Sequence, residues 1–391
     1  MSRRVEHGQS HASLLRDVST AVVPPTRSGL DAIVVPAARP ASALQNVIKL
    51  SATLSVPLVV LCSRQANVDQ VAERVEKTFG ARALVIEVPA DYRLPGEPHL
   101  TSSPDFRDAC ADRSSDLSVK RNIGLLLGRL RGWSKILFVD DDINLLRPRH
   151  VERLASVLDR HAVAAMASRE FPDNSVVCHA RRLAGLDQDV FVSGAVLGVN
   201  LRHPELSFFP DMYNEDWFFF ARQAADRYLP KIGEVRQLAY LPFADRSRAA
   251  REEFGDLLAE GLYALFDSTP GWDFHEQLAI AAKPSYWRDF KDIRLTMTRQ
   301  TLDALARAQF KAGVVLNPTM LQAEKSLQRA EEQASKISAE LCVDFLDMWQ
   351  QDERSWYKRL HDLSTVPNDH YALVELGLTT WISCGYGTEV V

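Results

Sequence analysis

The sequence predicts an α/β fold: a doubly wound, mostly parallel sheet flanked by helices, with a helical region at its C-terminal end. Short runs of large apolar residues, many of them β-branched, recur between residues 31 and 200. Such runs suit strands buried on both faces of a parallel sheet. Stretches with helical spacing separate them, which favours parallel pairing through right-handed crossovers. Past residue 246 the composition turns rich in Ala, Leu and Glu, and from 284 onward it reads almost wholly helical. The chain as read divides into a flexible leader over 1–29, a sheet domain over 30–245 and a mostly helical region over 246–391.

In order, residues 1–29 carry Arg, His, Ser and a Pro24-Pro25 pair without periodicity, the composition of a mobile leader. The first strand is expected over 31–36, closed by proline, and a helix over 41–53. A second strand, 57–62, precedes a helix over 67–79 whose apolar face takes in Val68, Val71, Ala72, Val75 and Phe79. A third strand spans 83–88. Residues 91–115, rich in Pro, Asp, Ser and Arg, read as a long surface loop, and such loops inside a domain are more often functional than idle. An amphipathic helix follows over 117–131, with Val119, Ile123, Leu126 and Leu130 as its stripe and Gly132 at its stop.

The next apolar run, Ile136-Leu137-Phe138-Val139, ends on Asp140, Asp141 and Asp142. After it come a helix over 148–160, a strand over 162–168 reaching Arg169 and Glu170, and a polar, irregular stretch over 171–188. Residues 190–199 form a further apolar segment. Its small residues around Gly194 permit close backbone approach to a ligand, or simply tight core packing. A helix headed by Glu215 and Asp216 runs to about 226, 235–243 adds an edge strand, and 246–266 is a long helix.

Bulk properties exclude several classes. A net charge of -5 leaves no basic footprint for nucleic acid and no polybasic membrane patch. The apolar runs fall far short of the ~20 residues that span a bilayer, so no transmembrane segment is expected. The N-terminus lacks the apolar core of a secretory signal, which makes a cytoplasmic location the default. Cys62, Cys110, Cys178, Cys342 and Cys384 include no Cys-x-x-Cys pair, which argues against a disulfide framework or a thiolate zinc site and for reduced thiols.

Chemistry concentrates at two acidic points. Three carboxylates closing a buried strand repel one another, and burying them unpaired costs roughly several kcal/mol. In an open α/β sheet the ligand crevice lies beyond the carboxyl ends of the strands. A hard divalent cation shared with a phosphate relieves the repulsion, because such ions favour one or two carboxylates plus substrate oxygens. The plainer account is a solvated loop capping the next helix. Lys120 and Arg121 occupy a first helical turn, where the dipole penalises cations. They suit a phosphate-bearing ligand beside exposed N–H groups, or are solvated surface charges. Glu215 and Asp216 are either helix caps or, in a pocket walled by Trp217 and the following Phe residues, a general base and its support. His275 and Trp272 lie in a polar link and read as structural or solvated.

The stretch Ser118-Val119-Lys120-Arg121-Asn122-Ile123-Gly124, followed by Ile136-Leu137-Phe138-Val139-Asp140-Asp141-Asp142, resembles the GT-A glycosyltransferases of the large family-2-like group. In that group an Arg-Asn-x-Gly helix precedes a strand ending in Asp-x-Asp. Val34-Val35-Pro36 is similar to the first nucleotide-binding strand, Gly194 falls in the acceptor-side segment, and Asn214-Glu215-Asp216 resembles the Glu-Asp catalytic motif. The likeness covers roughly 31–245. It implies a GT-A-like fold and transfer of a sugar from a UDP- or GDP-linked donor to an acceptor hydroxyl, with inversion.

By the same resemblance, Asp140 and Asp142 hold the donor ribose and a Mn2+ or Mg2+ ion bridging the diphosphate, and Asp141 assists or faces the sugar. Pro36, Ala37, Arg39 and Arg64 lie around the base and ribose, and Lys120, Arg121 and Asn122 near the diphosphate or donor sugar. Asp216 deprotonates the acceptor with Glu215 supporting it. The metal stabilises the departing nucleoside diphosphate while the base sharpens the attacking oxygen. Some relatives take a downstream His as a metal ligand; His275 is the nearest here and matches poorly.

Other readings compete. A phosphohydrolase of the haloacid-dehalogenase type also carries Asp-x-Asp after an apolar strand, but here three strand units precede the motif and no downstream Lys and Asp-Asp pair matches. A nucleotidyltransferase on a similar sheet would release pyrophosphate. A non-catalytic nucleotide-sugar-binding or scaffold protein would bind without turnover, its C-terminal helices serving as a surface for homo-oligomer assembly.

Overall fold

The computed structural model describes residues 10–22, 26–95, 100–169, 175–311 and 317–385. The expectations for 1–9, Pro24 and Pro25, 96–99, Glu170 and 171–174 lie outside these residues. One sheet contains β1 (Leu15–Asp17), β2 (Ala32–Ala37), β3 (Leu58–Cys62), β4 (Ala83–Glu87), β5 (Lys135–Val139), β6 (Ile143–Leu145), β7 (Val163–Arg169), β8 (Val192–Asn200), β9 (Leu229–Gln237) and β10 (Trp381–Cys384). Its order is β1-β9-β7-β8-β5-β2-β3-β4-β10, with β6 paired to β9. β6, β8 and β10 run against the rest, so the sheet is mixed and mostly parallel.

The central strands are apolar throughout because both faces are covered. Successive side chains point to opposite faces. Val34, Ile136 and Phe138 join the core on one side, while Ile33, Val35, Leu137 and Val139 join the core on the other. The second face is covered by α1 (Gln45–Leu54), α2 (Val68–Glu76) and, further along, the helix Pro148–Val157. The first face carries α3 (Pro104–Ala109) and α4 (Leu117–Leu130). The helices that follow are α5 (Pro148–Val157), α6 (Val176–Leu183), α7 (Glu215–Phe219), α8 (Ala221–Ala225), α9 (Arg248–Ser268), α10 (Phe274–Ala281), α11 (Pro284–Lys311), α12 (Pro318–Lys336), α13 (Ala339–Asp362) and α14 (Asp369–Glu375). Leu258 of α9, Trp349 of α13 and Leu373 of α14 share one core with Phe138 of β5, so the helical region packs directly on the sheet.

Several elements differ from expectation for identifiable reasons. α2 stops at Glu76, so Phe79 lies past its end and is fully exposed rather than on an apolar face. The stretch 171–188 contains α6, whose Ser175 side chain caps it by accepting from Cys178 N at 3.3 Å. β9 starts at Leu229 and lies between β1 and β7, not at the edge. The edge is β1, three residues inside the stretch read as a leader, and too short to show a period-2 pattern. At the other edge β10 adds antiparallel to β4 from a region read as helical.

Candidate active site

The parallel strands β2, β3 and β5 deliver Ala37, Cys62 and Val139 to one edge of the sheet. β5 pairing to β2 ends at Val34, so Pro36, which has no N–H to give, interrupts no ladder to β5. Lys120 and Arg121 of α4 are not solvated charges. Lys120 is 1 % exposed, and its Nζ donates to Ala37 O at 2.8 Å and to Ser63 Oγ at 2.7 Å, with Asp116 at 3.2 Å. Burial pulls its pKa down and Asp116 opposes that. Lys120 therefore pins the ends of β2 and β3 together. Arg64, in a left-handed conformation (φ 53°), donates to Ser114 O at 3.0 Å and remains largely exposed.

Arg121 joins the two acidic points. Its Nη2 donates to both oxygens of Asp140, at 2.9 and 3.1 Å, and its Nη1 donates to Glu215 Oε1 at 2.6 Å. Burial works against the Arg121 charge, but Asp140 and Glu215 outweigh it and raise its pKa. Gly194 of β8 is the floor beneath this guanidinium: a Cβ there would sit 2.5 Å from Nη1. Asp216 shares the corner, its Oδ2 accepting from Gly194 N and its Oδ1 from Trp217 N at 2.9 Å. Asp140, Gly194, Glu215 and Asp216 thus meet around one buried arginine.

Asp141 and Asp142 turn towards the loop after β2. Asp141 accepts from Ala38 N at 2.7 Å, Arg39 N at 2.8 Å and the Arg39 guanidinium, which makes it the anchor of that turn. Asp142 Oδ2 accepts from Arg39 Nη2 at 2.9 Å and Gln237 Nε2 at 3.0 Å, while its buried Oδ1 has no partner among the described residues. Burial pushes the Asp142 pKa up; Arg39 pulls the other way. Asn122 is not at this corner. Its amide donates to Phe209 O and accepts from Phe209 N, both at 2.9 Å, locking an internal segment to α4. His275 lies exposed in the first turn of α10 rather than in an irregular link.

No family model matches the chain, and no curated protein matches it. Among solved structures it is similar to the mannosyltransferase PcManGT from Pyrobaculum calidifontis in complex with GDP-Man and Mn2+. That likeness has 13% identity and a TM-score of 0.35, over 84% of this chain and 89% of the other. At those values it fixes neither fold nor function.

Residues that the sequence did not single out complete the corner. Gln237 holds Asp142 from the end of β9, and Ser63 and Asp116 hold Lys120. The segment before α7 is braced by α9. Asn214, at φ 61°, donates to Asp256 at 2.9 Å, and Tyr263 OH donates to Trp217 O at 2.9 Å. Gly255 leaves room for the Tyr213 carbonyl, which a Cβ would overlap. Asp256 and Glu253 are in turn paired with buried Arg294 at 2.7–2.9 Å.

A divalent cation was implied at Asp140 and Asp142. Five carboxylates (Asp140, Asp141, Asp142, Glu215, Asp216) face two guanidinium groups here, an excess of negative charge over the protein's own cations. The donors are hard oxygens, and Asp142 Oδ1 has no partner. Among the described residues no three His, Cys, Asp or Glu side chains converge, but two carboxylates plus phosphate oxygens satisfy Mg2+ or Mn2+. The donor chemistry fits such an ion, on the condition that Arg39 leaves Asp142. Arg39 is 42 % exposed and has solvent to swing into, whereas Arg121 is 2 % exposed and has none.

Proposed function

We propose that this chain is a glycosyltransferase that moves a sugar from a nucleoside-diphosphate donor to an acceptor hydroxyl with inversion. The observation that carries the reading is the Arg121 bridge between Asp140 and Glu215. Two acidic points far apart in sequence share one buried cation at the carboxyl edge of a mostly parallel sheet, the place where open α/β sheets bind ligands. The sequence motifs around both points agree with it.

The roles follow from the geometry. Arg39 and Arg64, both solvent-accessible, reach towards the nucleotide and its diphosphate, for which guanidinium forks are well shaped. Lys120 keeps β2 and β3 in register beneath them. A divalent cation, when held by Asp140 and Asp142, supplies Lewis-acid stabilisation of the leaving diphosphate. Asp216, with two backbone N–H groups fixing its carboxylate, is the base: it takes the acceptor's proton as the acceptor oxygen bonds to the anomeric carbon. The bond from that carbon to the diphosphate breaks, its electron pair leaving with the nucleoside diphosphate. Glu215 keeps Arg121 in place beside it. One displacement with one base gives inversion.

The guanidinium pairing of Asp140, Asp141 and Asp142 favours a second reading, a nucleotide-sugar-binding protein without turnover. Release of nucleoside diphosphate from a panel of UDP- and GDP-sugars with candidate acceptors separates the two. Turnover with a product of inverted anomeric configuration supports the proposal; tight donor binding with no release under any acceptor rejects it.

A further inference from the structure

A second cleft, of about 510 Å³, opens beside β9 where α5 begins. It lies on the face covered by α5, away from α4 and α7, which supply Arg121 and Glu215 from the opposite face. Its size is that of a small-molecule site. Among the described residues its walls carry Arg147, Arg149, Arg169, Lys231 and Arg236 against Asp17 and Glu234. Both carboxylates are already engaged. Glu234 pairs with Arg169 and with Lys231 at 3.6 Å, and Asp17 takes bonds from Ser19 and lies 3.8 Å from Lys231. A chain with a net charge of -5 has here collected an excess of positive charge.

Arg147 and Arg149 are the groups left over. Both are exposed, and among the described residues neither guanidinium has a hydrogen bond or ion pair. They flank the start of α5, whose first turn contains no acidic residue and whose Arg147 N-cap supplies no side-chain cap. The dipole there disfavours cations, so the pair destabilises the free protein and an anion would offset that cost. His150, next to Arg149 in the same wall, presents a buried Nδ1 with no partner among the described residues. Burial and the field of Arg149, Arg147 and Arg153 lower the His150 pKa, a separate sign of local positive potential. Opposite His150, β9 has Gly233. The imidazole ring lies over it, 3.5 Å from where a Cβ would stand.

We propose that this cleft is a binding site for a phosphate group, gripped by Arg147 and Arg149 over His150 and Gly233. Arginine forks match phosphate oxygens bidentately, and the remaining cations of the cleft add long-range attraction. The site borders the acidic corner. Arg236 precedes Gln237, which donates to Asp142, and β6 runs from Ile143 beside Asp142 to Leu145 in the cleft wall. A phosphate held here is joined to Asp142 through β6 and the end of β9 and uses none of the transfer site's residues. Its source is a small phosphorylated molecule or a phospholipid headgroup.

Calorimetric titration of inorganic phosphate into the full chain at fixed ionic strength tests this, with Arg147→Glu/Arg149→Glu as the comparison. Both positions are on the surface, and circular dichroism checks that the double variant folds. Saturable binding that weakens at least tenfold in the double variant, with GDP and UDP binding unchanged, supports the proposal. Flotation with phosphatidylcholine vesicles, with or without phosphatidic acid, identifies the source. Association that requires phosphatidic acid and fails in the double variant assigns a headgroup; phosphate binding without vesicle association assigns a soluble molecule. Phosphate binding of equal strength in both proteins, or no phosphate binding and no vesicle association that depends on the two arginines, overturns it. Absence of glycosyl transfer would leave this titration unaffected, so the two proposals fail separately.

Discussion

The Arg121 guanidinium lies directly on the backbone of Gly194, with no room for a Cβ between them. A small residue on β8 is therefore what allows one cation from α4 to reach both Asp140 and Glu215. Gly194→Ala pushes the guanidinium off this line. Overpacking of this kind costs about 1–3 kcal/mol. Urea unfolding is expected to show a loss in that range, together with a fall in transfer; unchanged stability and rate would mean that Arg121 does not rest on this residue.

Removing the cation itself is more damaging. Arg121→Met leaves buried Glu215 and half-buried Asp140 without their partner, and breaking a buried pair from one side costs about 3–5 kcal/mol. Adding Glu215→Gln removes one of the stranded charges, so the double variant should be more stable than Arg121→Met alone. A double variant less stable than the single one would contradict the pairing. Denaturant melts of the three proteins decide it.

Asp216→Asn keeps the shape of the side chain and removes its basicity. Donor affinity should persist while transfer slows by about 10²-fold or more. Steady-state kinetics with a donor and its acceptor read both quantities. A wild-type rate would place the base elsewhere.

Asp142 carries a pH signature. Its folded pKa is raised above 3.8 by burial, against the pull of Arg39, so the folded protein binds a proton where the unfolded chain has already lost it. Stability then falls as pH rises from 3.8 through the higher folded value, because the native state binds more protons than the unfolded state in that window. In Asp142→Asn this contribution is gone. The stability difference between variant and wild type should shift in the variant's favour as pH climbs above 3.8 and then level off. A difference independent of pH would show that Asp142 is not held in this way.

The central sheet was legible because β2, β3, β4 and β5 are continuous apolar runs, a pattern that only two-sided burial produces. β1 and β10 were not, since three or four residues of ladder are specified by their neighbours β9 and β4 rather than by their own spacing. The two acidic points could be read from residue type and order. Their connection could not: Arg121 is one cation among 46 Lys and Arg residues, and only the fold says that it is buried against both. Asn122 shows the opposite case. Its neighbours in the motif suggested the ligand, yet its amide pairs with the backbone of Phe209, which no local pattern announces. The support from Asp256, Gly255 and Tyr263 was hidden for the same reason, since α9 reads as an ordinary long helix until it is packed under α7.

Calorimetric titration of GDP and UDP, with and without Mn2+, into the wild type and Asp142→Ala asks whether the carboxylates after β5 serve a metal and a nucleotide. Saturable binding of one nucleotide to the wild type is expected, strengthened by Mn2+, with the Mn2+ effect lost in Asp142→Ala. Binding that ignores both the ion and the substitution, or no nucleotide binding at all, would contradict that role.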